Sequence, residues 1–336
     1  MNEMKMTRSS VVLLFMVALI GCTAKKKTEE NATRARTVQV PKFNADSAYS
    51  FVERQVKFGP RVPGTKSHEK AGDYFVEKLR KYGAEASVQE FDALTWDNQR
   101  IHLKNIIASY NPRMEKRILL AAHWDTRPYA DKDKEKKDAP FDGANDGASG
   151  VGVLLEIARA INENKKPEVG VDFILFDGED WGEKEDEDSK QVLPEGYEKW
   201  WCLGSQYWSQ HKHQKNYSAY YGILLDMVGA RHSQFFREGA SLELAPSVVE
   251  KIWNTGTKLG YTDYFVKTNV SAITDDHVFV SLKGKIPMAD IVHYQAGVGF
   301  FGDYHHTRKD NLSLISKETL SAVGTTVLNV VYYEEP

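Results

Sequence analysis

Four short runs are apolar almost without interruption: "RILLAAH" (Arg117–His123), "VDFILF" (Val171–Phe176), "YYGILLD" (Tyr220–Asp226) and "MADIVHY" (Met288–Tyr294). A strand with one wet face alternates apolar and polar residues, so a strand without alternation must be covered on both faces. Between the runs lie patterns of helical period, "GVGVLLEIARAINE", "SVVEKIWNTGTKLGY" and "SKETLSAVGTTVLNVVYYEE". Buried strands alternating with helices predict an α/β fold, a three-layer α/β/α single domain around a mainly parallel (mixed) central sheet. Upstream, "SAYSFVERQVKFG" and "SHEKAGDYFVEKLRKYG" each open on a serine cap and close on glycine, as helices do. "ASVQEFDA" alternates and reads as a half-exposed strand, with "NIIASY" as the next.

The chain has 336 residues, 41% of them apolar and 27% charged, enough to bury a full core. A net charge of −3 argues against nucleic-acid binding, which needs a basic stripe. No repeat of solenoid or propeller length is present. The first 22 residues stand apart. Lys5 and Arg8 precede the apolar run "VVLLFMVALI" (Val11–Ile20). That run is too short for a membrane span, which needs about 20 residues, but it suits a signal-peptide core. The "LIGC" that closes it resembles a bacterial lipobox, which would make Cys22 the lipidated first residue of the mature chain. Thr23 follows it, which favours an outer-membrane anchor facing the periplasm. Residues 1–22 are therefore expected to be a lipoprotein signal, 23–46 a flexible tether, and 47–336 the catalytic domain. With Cys22 lipidated, Cys202 is the one remaining thiol and no intramolecular disulfide can form.

Candidate chemistry gathers at strand exits. His123 ends one apolar run and Asp226 another. Glu179 and Asp180 follow "VDFILFDG", Asp146 lies in "DGANDGASG" just before a helix, and His306 lies in "YHHTRKDN". Parallel strands emerge at one edge of a sheet, so these side chains can meet although they are distant in sequence. Two adjacent carboxylates at the end of a buried strand must be paired, hydrogen-bonded or bound to metal. Imidazole and carboxylate together form a zinc-type ligand set. Two charge runs, Asp131–Asp138 and Glu183–Lys190, read most simply as solvated loop tips.

The series "AAHWDT", "DGANDGASG", "FDGED", "LLDMVGA" and "HHT" resembles the zinc aminopeptidase superfamily, most closely its glutaminyl cyclase branch, over roughly residues 47–335. In the aminopeptidases, the resemblance implies two zinc ions held at His123, Asp146, Asp180, Asp226 and His306, with Asp146 bridging. In the cyclases it implies one zinc at Asp146, Asp180 and His306, with His123 and Asp226 behind them. In both, Glu179 would be the proton carrier. The sequence departs from the pattern at position 180, where many members of the superfamily carry glutamate.

Three features favour the cyclase branch. "AITDDHVFVSLKG" resembles the cyclase segment in which an aspartate, here Asp275, joins an acid network with Glu179 and Asp226; its alternative reading is a helix cap. Phe301 in "FFGDYHHT" matches the aromatic wall of the cyclase pocket, and His305 replaces the tryptophan common beside the last ligand. "EKWWCLGSQYW" offers Trp200 or Trp201 as a second wall, with Trp208 reading as core. His277 could act or simply pack. The resemblance thus implies a zinc-dependent glutaminyl-peptide cyclotransferase acting on peptides or exported proteins with N-terminal glutamine. The alternatives are a di-zinc aminopeptidase and a catalytically silent, membrane-tethered binding protein.

Overall fold

The apolar runs become four adjacent parallel strands, and their neighbours explain why none of them alternates. The computed structural model describes residues 38–184, 187 and 189–336, together with Met1. Helices α1 (Ala45–Phe58) and α2 (Lys66–Lys81) lead into strands β1 (Glu85–Leu94), β2 (Arg100–Tyr110) and β3 (Arg117–His123). Then come α3 (Ala148–Glu163), β4 (Gly170–Phe176), α4 (Leu203–Gln210), β5 (Tyr221–Asp226), β6 (Gln234–Arg237), α5 (Gly239–Leu244) and α6 (Pro246–Lys258). The chain closes with β7 (Phe265–Asn269), α7 (Asp276–Leu282), β8 (Met288–Gln295), β9 (Gly299–Phe300) and α8 (Lys317–Tyr332). The sheet order is β1-β2-β4-β3-β5-β8-β6-β7, with β9 on β8. β4, β3, β5 and β8 pair in parallel, while β1, β2 and the β6–β8 pairing are antiparallel. The sheet is therefore mixed, with a parallel centre.

Both faces of that centre are dry. Ile118, Leu120 and Ala122 of β3 join the larger core, beneath α1, α2, α3, α6 and α8, while Leu119 and Ala121 join the core on the other face. β4 splits the same way, Val171, Phe173 and Leu175 against Ile174 and Phe176. On the second face, Trp208 of α4 and Val280 of α7 complete the third layer.

Helix starts differ slightly from expectation. The cap of α1 is Asn44, whose side chain accepts from the Ser47 N–H, and the cap of α2 is Thr65, accepting from the His68 N–H. In each helix the serine lies inside the first turn. The expected tether also ends earlier, because Val38–Pro336 forms one compact unit. Phe43 is 4% exposed, and the Asn44 N–H donates to buried Glu156 of α3. A Cβ on Gly324 of α8 would overlap the Phe43 ring, so that glycine makes the groove in which the segment lies. Residues 2–37, with Cys22 and the signal-like run, lie outside the described residues.

Because Phe43 fills this groove, Phe43→Ala should lower the unfolding free energy by about 3 kcal/mol, read from denaturant midpoints at constant m.

Candidate active site

β4 ends at Phe176 and the chain must turn. Asp177 is fully buried; its carboxylate lies 2.9 Å from His68 Nε2 and accepts from the Lys104 and Gly178 N–H groups. Gly178 takes φ +67°, and a Cβ there would press on Leu103. Beyond it, the amides of Glu179 and Asp180 both donate to Asp125, to Oδ1 and Oδ2 respectively, at 3.1 Å each. The backbone beneath the two neighbouring side chains is thereby fixed from behind, and both residues line one cavity.

Asp146 is held in the same manner. The N–H groups of Asn145 and Asp146 donate to the two oxygens of buried Asp310, at 2.7 and 3.0 Å. Arg61, also fully buried, donates to the carbonyls of Trp124, Asp142 and Gly143 and ties this loop to the end of β3. Burial lowers its pKa to about 10, with Asp310, Asp125 and Asp146 opposing the shift.

On β3 and β5, Ala121 pairs with Leu224, so His123 and Asp226 come two residues later side by side. His123 Nε2 lies 3.1 Å from Asp146 Oδ1 and 3.2 Å from Asp226 Oδ1. Burial opposes its protonation, but Asp125, Asp146 and Asp226 outweigh that and raise its pKa well above the usual value. Asp226 moves up to about 7 through burial and the charge of Asp275, against the pull of His123.

The expected ligands converge. His306 Nε2 lies 2.9 Å from Asp180 Oδ1 and 3.7 Å from Asp146 Oδ2. Asp180 Oδ2 is occupied by the Arg127 N–H at 3.0 Å, so Oδ1 is the oxygen turned to the histidine. His306 Nε2 and Asp146 Oδ2 are buried and make no hydrogen bond among the described residues. Such orphaned atoms cost about 1–3 kcal/mol each unless something answers them. Burial and the Arg127 charge lower the His306 pKa to about 3, leaving the neutral imidazole that a metal requires. Asp146 stays anionic: burial would raise its pKa, but His123, His305 and His306 lower it further. Neutral nitrogen and anionic oxygen facing one point suit a zinc-type ion.

Two donor sets share Asp146. One joins it to His305 and His306, the other to His123 and Asp226, each with donor atoms within 4.8 Å of one another. His305, expected as a pocket wall, lines the cavity but also brings Nε2 to 3.8 Å from Asp146 Oδ2.

Glu179 faces the same cavity, 15% exposed, and Asp275 lies beyond it. Burial pushes the Glu179 pKa well up, and the charges of Asp275 and Asp180 add to this against His123. Asp275 caps α7, as the alternative reading expects, and its buried carboxylate also lies near Glu179. His277 stays out of the cavity, fully buried, with Nε2 3.2 Å from Glu238.

The cavity holds about 410 Å³ and is walled by Trp201 and Phe301. Trp201 stacks parallel to His306, 5.9 Å between centroids, and a Cβ on Gly182 would overlap its ring. Trp200 belongs to a separate apolar cluster and Trp208 to the core, so Trp201 is the wall.

Arg127 and Asp131 went unrecognised in the sequence. Arg127 donates to the carbonyls of Asp180, Gly182 and Glu183, lies 4.6 Å over the Trp201 ring and forms a two-pronged pair with Asp131. Asp131 Oδ1 is 3.6 Å from His306 Nδ1. The run Asp131–Asp138 is thus not wholly a solvated tip: Asp131 is 8% and Asp133 7% exposed, the latter paired with Arg308. Their burial follows from arginines remote in sequence or folded back, which composition does not reveal.

Comparison with known proteins accords with this geometry. The model of peptidase family M28 matches residues 105–331. The chain belongs to that family. It is similar to a Bacteroides thetaiotaomicron glutaminyl cyclase solved with N-acetylhistamine, with 47% identity, TM-score 0.84, and 88% of this chain and 100% of that one covered. It is equally similar to a Zn-dependent exopeptidase from Parabacteroides distasonis, with 47% identity, TM-score 0.83 and the same coverage. A glutaminyl-peptide cyclotransferase of Drosophila melanogaster is 25% identical over 288 residues, 77% of this chain and 73% of that protein. The fold and the zinc dependence of this M28 family agree with the sequence reading.

Because Asp310 holds the Asp146 amide, Asp310→Asn should weaken zinc binding by about 10- to 100-fold, the usual effect of losing a group that orients a ligand. Competition with a chromogenic chelator measures it directly.

Proposed function

We propose that the protein is a zinc-dependent glutaminyl-peptide cyclotransferase, which closes an N-terminal glutamine to pyroglutamate and releases ammonia. The observation that carries this is the acid pair Glu179 and buried Asp275 on the cavity, beside Asp146 and Asp180, whose carboxylates lie 3.7 and 2.9 Å from His306 Nε2. An ion bound by those three residues would supply Lewis-acid polarisation of the glutamine side-chain amide. Cyclisation then requires one group that first accepts and later returns a proton. Glu179, its pKa raised by burial and by neighbouring acids, suits both halves. It takes one proton from the α-amine as nitrogen bonds to the side-chain carbonyl carbon. It returns that proton to the departing amide nitrogen as the carbon–nitrogen bond breaks, and ammonia leaves. Trp201 and Phe301 enclose the glutamine stem, and the cavity is large enough for that residue and the start of the next. Amine and amide belong to one residue, so most of the entropy of bringing them together is already spent.

A second reading, exopeptidase action with two ions, is supported by the His123–Asp146–Asp226 donor set that shares Asp146 with the first. His123→Ala separates the readings: one zinc per chain should persist for a cyclase, and one of two should be lost for the exopeptidase.

The neighbouring carboxylates Glu179 and Asp180 give the sharpest test. Glu179→Gln should keep zinc while turnover of a Gln-initiated peptide falls about 10²- to 10⁴-fold, with KM little changed. Asp180→Asn should lose zinc affinity first and recover part of its rate when zinc is added. Ammonia release during zinc titration checks both, and zinc rescue of Glu179→Gln alone would reverse the assignments.

The "LIGC" ending supports a further part of the proposal, an exported lipoprotein anchored through Cys22 on the periplasmic side of the outer membrane, acting on exported chains. Cys22→Ser should abolish fatty-acid labelling and move the protein out of the membrane fraction.

A further inference from the structure

We infer that Cys202 is a positioning residue for the proton carrier, holding the Glu179 carboxylate in its working orientation. The inference rests on the role given to Glu179 above. Cys202 is fully buried, and its thiol donates to Glu179 Oε1 at 3.3 Å. That is the one side-chain hydrogen bond to this carboxylate among the described residues. His123 Nδ1 stands 3.8 Å from Oε2, beyond hydrogen-bond reach.

The backbone fixes the thiol in place. The Cys202 N–H donates to the Glu179 carbonyl at 2.9 Å, and the Leu203 N–H to the Gly178 carbonyl at 3.0 Å. The first turn of α4 is thereby docked on the segment that carries the proton carrier. Cys202 caps that helix in the left-handed region, φ +58°, which few side chains adopt without a local reason. Gly204 permits the close approach, since a Cβ there would press on the Asp177 backbone.

Without the thiol, little would hold Glu179 where it is. Its flexible side chain shares the cavity with Asp275 and Asp180, and the charge of either repels it. A thiol is a weak donor, so it directs one oxygen without binding it as firmly as a hydroxyl or an amide would. The second oxygen remains free for the substrate.

A double-mutant cycle tests this. Cys202→Ala should lower kcat about tenfold, the worth of one modest hydrogen bond to a charged group, with KM within about twofold and zinc per chain unchanged. Cys202→Ser, which restores a donor, should recover about half of that loss on a logarithmic scale. In a Glu179→Gln background, Cys202→Ala should change kcat by less than about twofold, because the group it positions is gone. An equal fractional loss in both backgrounds, or an Ala variant with wild-type kcat, overturns the inference. If Cys202→Ala does not fold, Cys202→Ser carries the same cycle against Glu179→Gln, with the same criterion. Wild-type ammonia release from a Gln-initiated peptide reports separately on the proposed function. If it is absent, the cycle is run on hydrolysis of leucine amide, where Glu179 has the same proton duty. Wild-type inactivity on both substrates removes that duty and this inference with it.

Discussion

Two buried carboxylates, each accepting a pair of consecutive backbone amides, set the geometry of the whole site. Asp125 grips Glu179 and Asp180, and Asp310 grips Asn145 and Asp146. The ligand-bearing turns are therefore fixed through their main chain, leaving the side chains free to face the cavity. A hydrogen bond is worth about 0.5–1.5 kcal/mol net, and each aspartate makes two, which helps hold its turn against the repulsion among its own acids. Neither aspartate lines the cavity, yet Glu179, Asp180 and Asp146 each take their backbone position from one of them.

This construction concentrates negative charge. Asp125, Asp146, Asp180, Asp226, Asp275, Asp276 and Asp310 are all buried within it; burial raises the pKa of Asp180, Asp226, Asp275, Asp276 and Asp310, and repulsion by neighbouring acids adds to this at all of these but Asp275. The buried arginine and histidine side chains set among them include Arg61, Arg127, His123, His277 and His306. Arg61 spends its guanidinium on carbonyls, and Arg127 is matched by Asp131. The excess of acid over base must be met by protons or by a bound cation, and either answer serves a zinc-dependent enzyme that moves protons. The same imbalance that makes the site costly to fold makes it chemically active.

Much of this was legible in the sequence because it lies on strands. Continuous apolar runs announced the parallel centre, and their exits delivered His123, Glu179, Asp180 and Asp226 to one edge of the sheet. The supports were not legible. Asp310 and Asp125 look like ordinary loop aspartates, and nothing local says that their oxygens meet amides from other segments. Asp131 sits in a run of charges, and only Arg127 folded against it makes it a buried residue. Trp200 and Trp201 are neighbours of identical type in different environments, a distinction created by the turn before α4 and invisible to periodicity. Short elements such as β6, β7 and α5 carry too few residues for a pattern to emerge. Asn44 and Thr65 displaced the expected serine caps because a serine inside the first helical turn gives the same composition signal as one that caps it.

The aspartate at position 180 shows how support and ligand were fitted to one another. A glutamate would carry its carboxylate one methylene further into the cavity. Here the shorter arm suffices because the backbone at 180 is drawn in from two sides, its N–H held by Asp125 and its carbonyl by the Arg127 guanidinium. The Arg127 N–H then takes Oδ2, and Oδ1 is left 2.9 Å from His306 Nε2. Arg127 also packs on Trp201 and pairs with Asp131, which stands behind His306. One arginine thus sets a candidate ligand, the residue behind a second candidate ligand and the aromatic wall. The shorter carboxylate reaches His306 because the Arg127 scaffold draws the backbone in rather than requiring the side chain to extend.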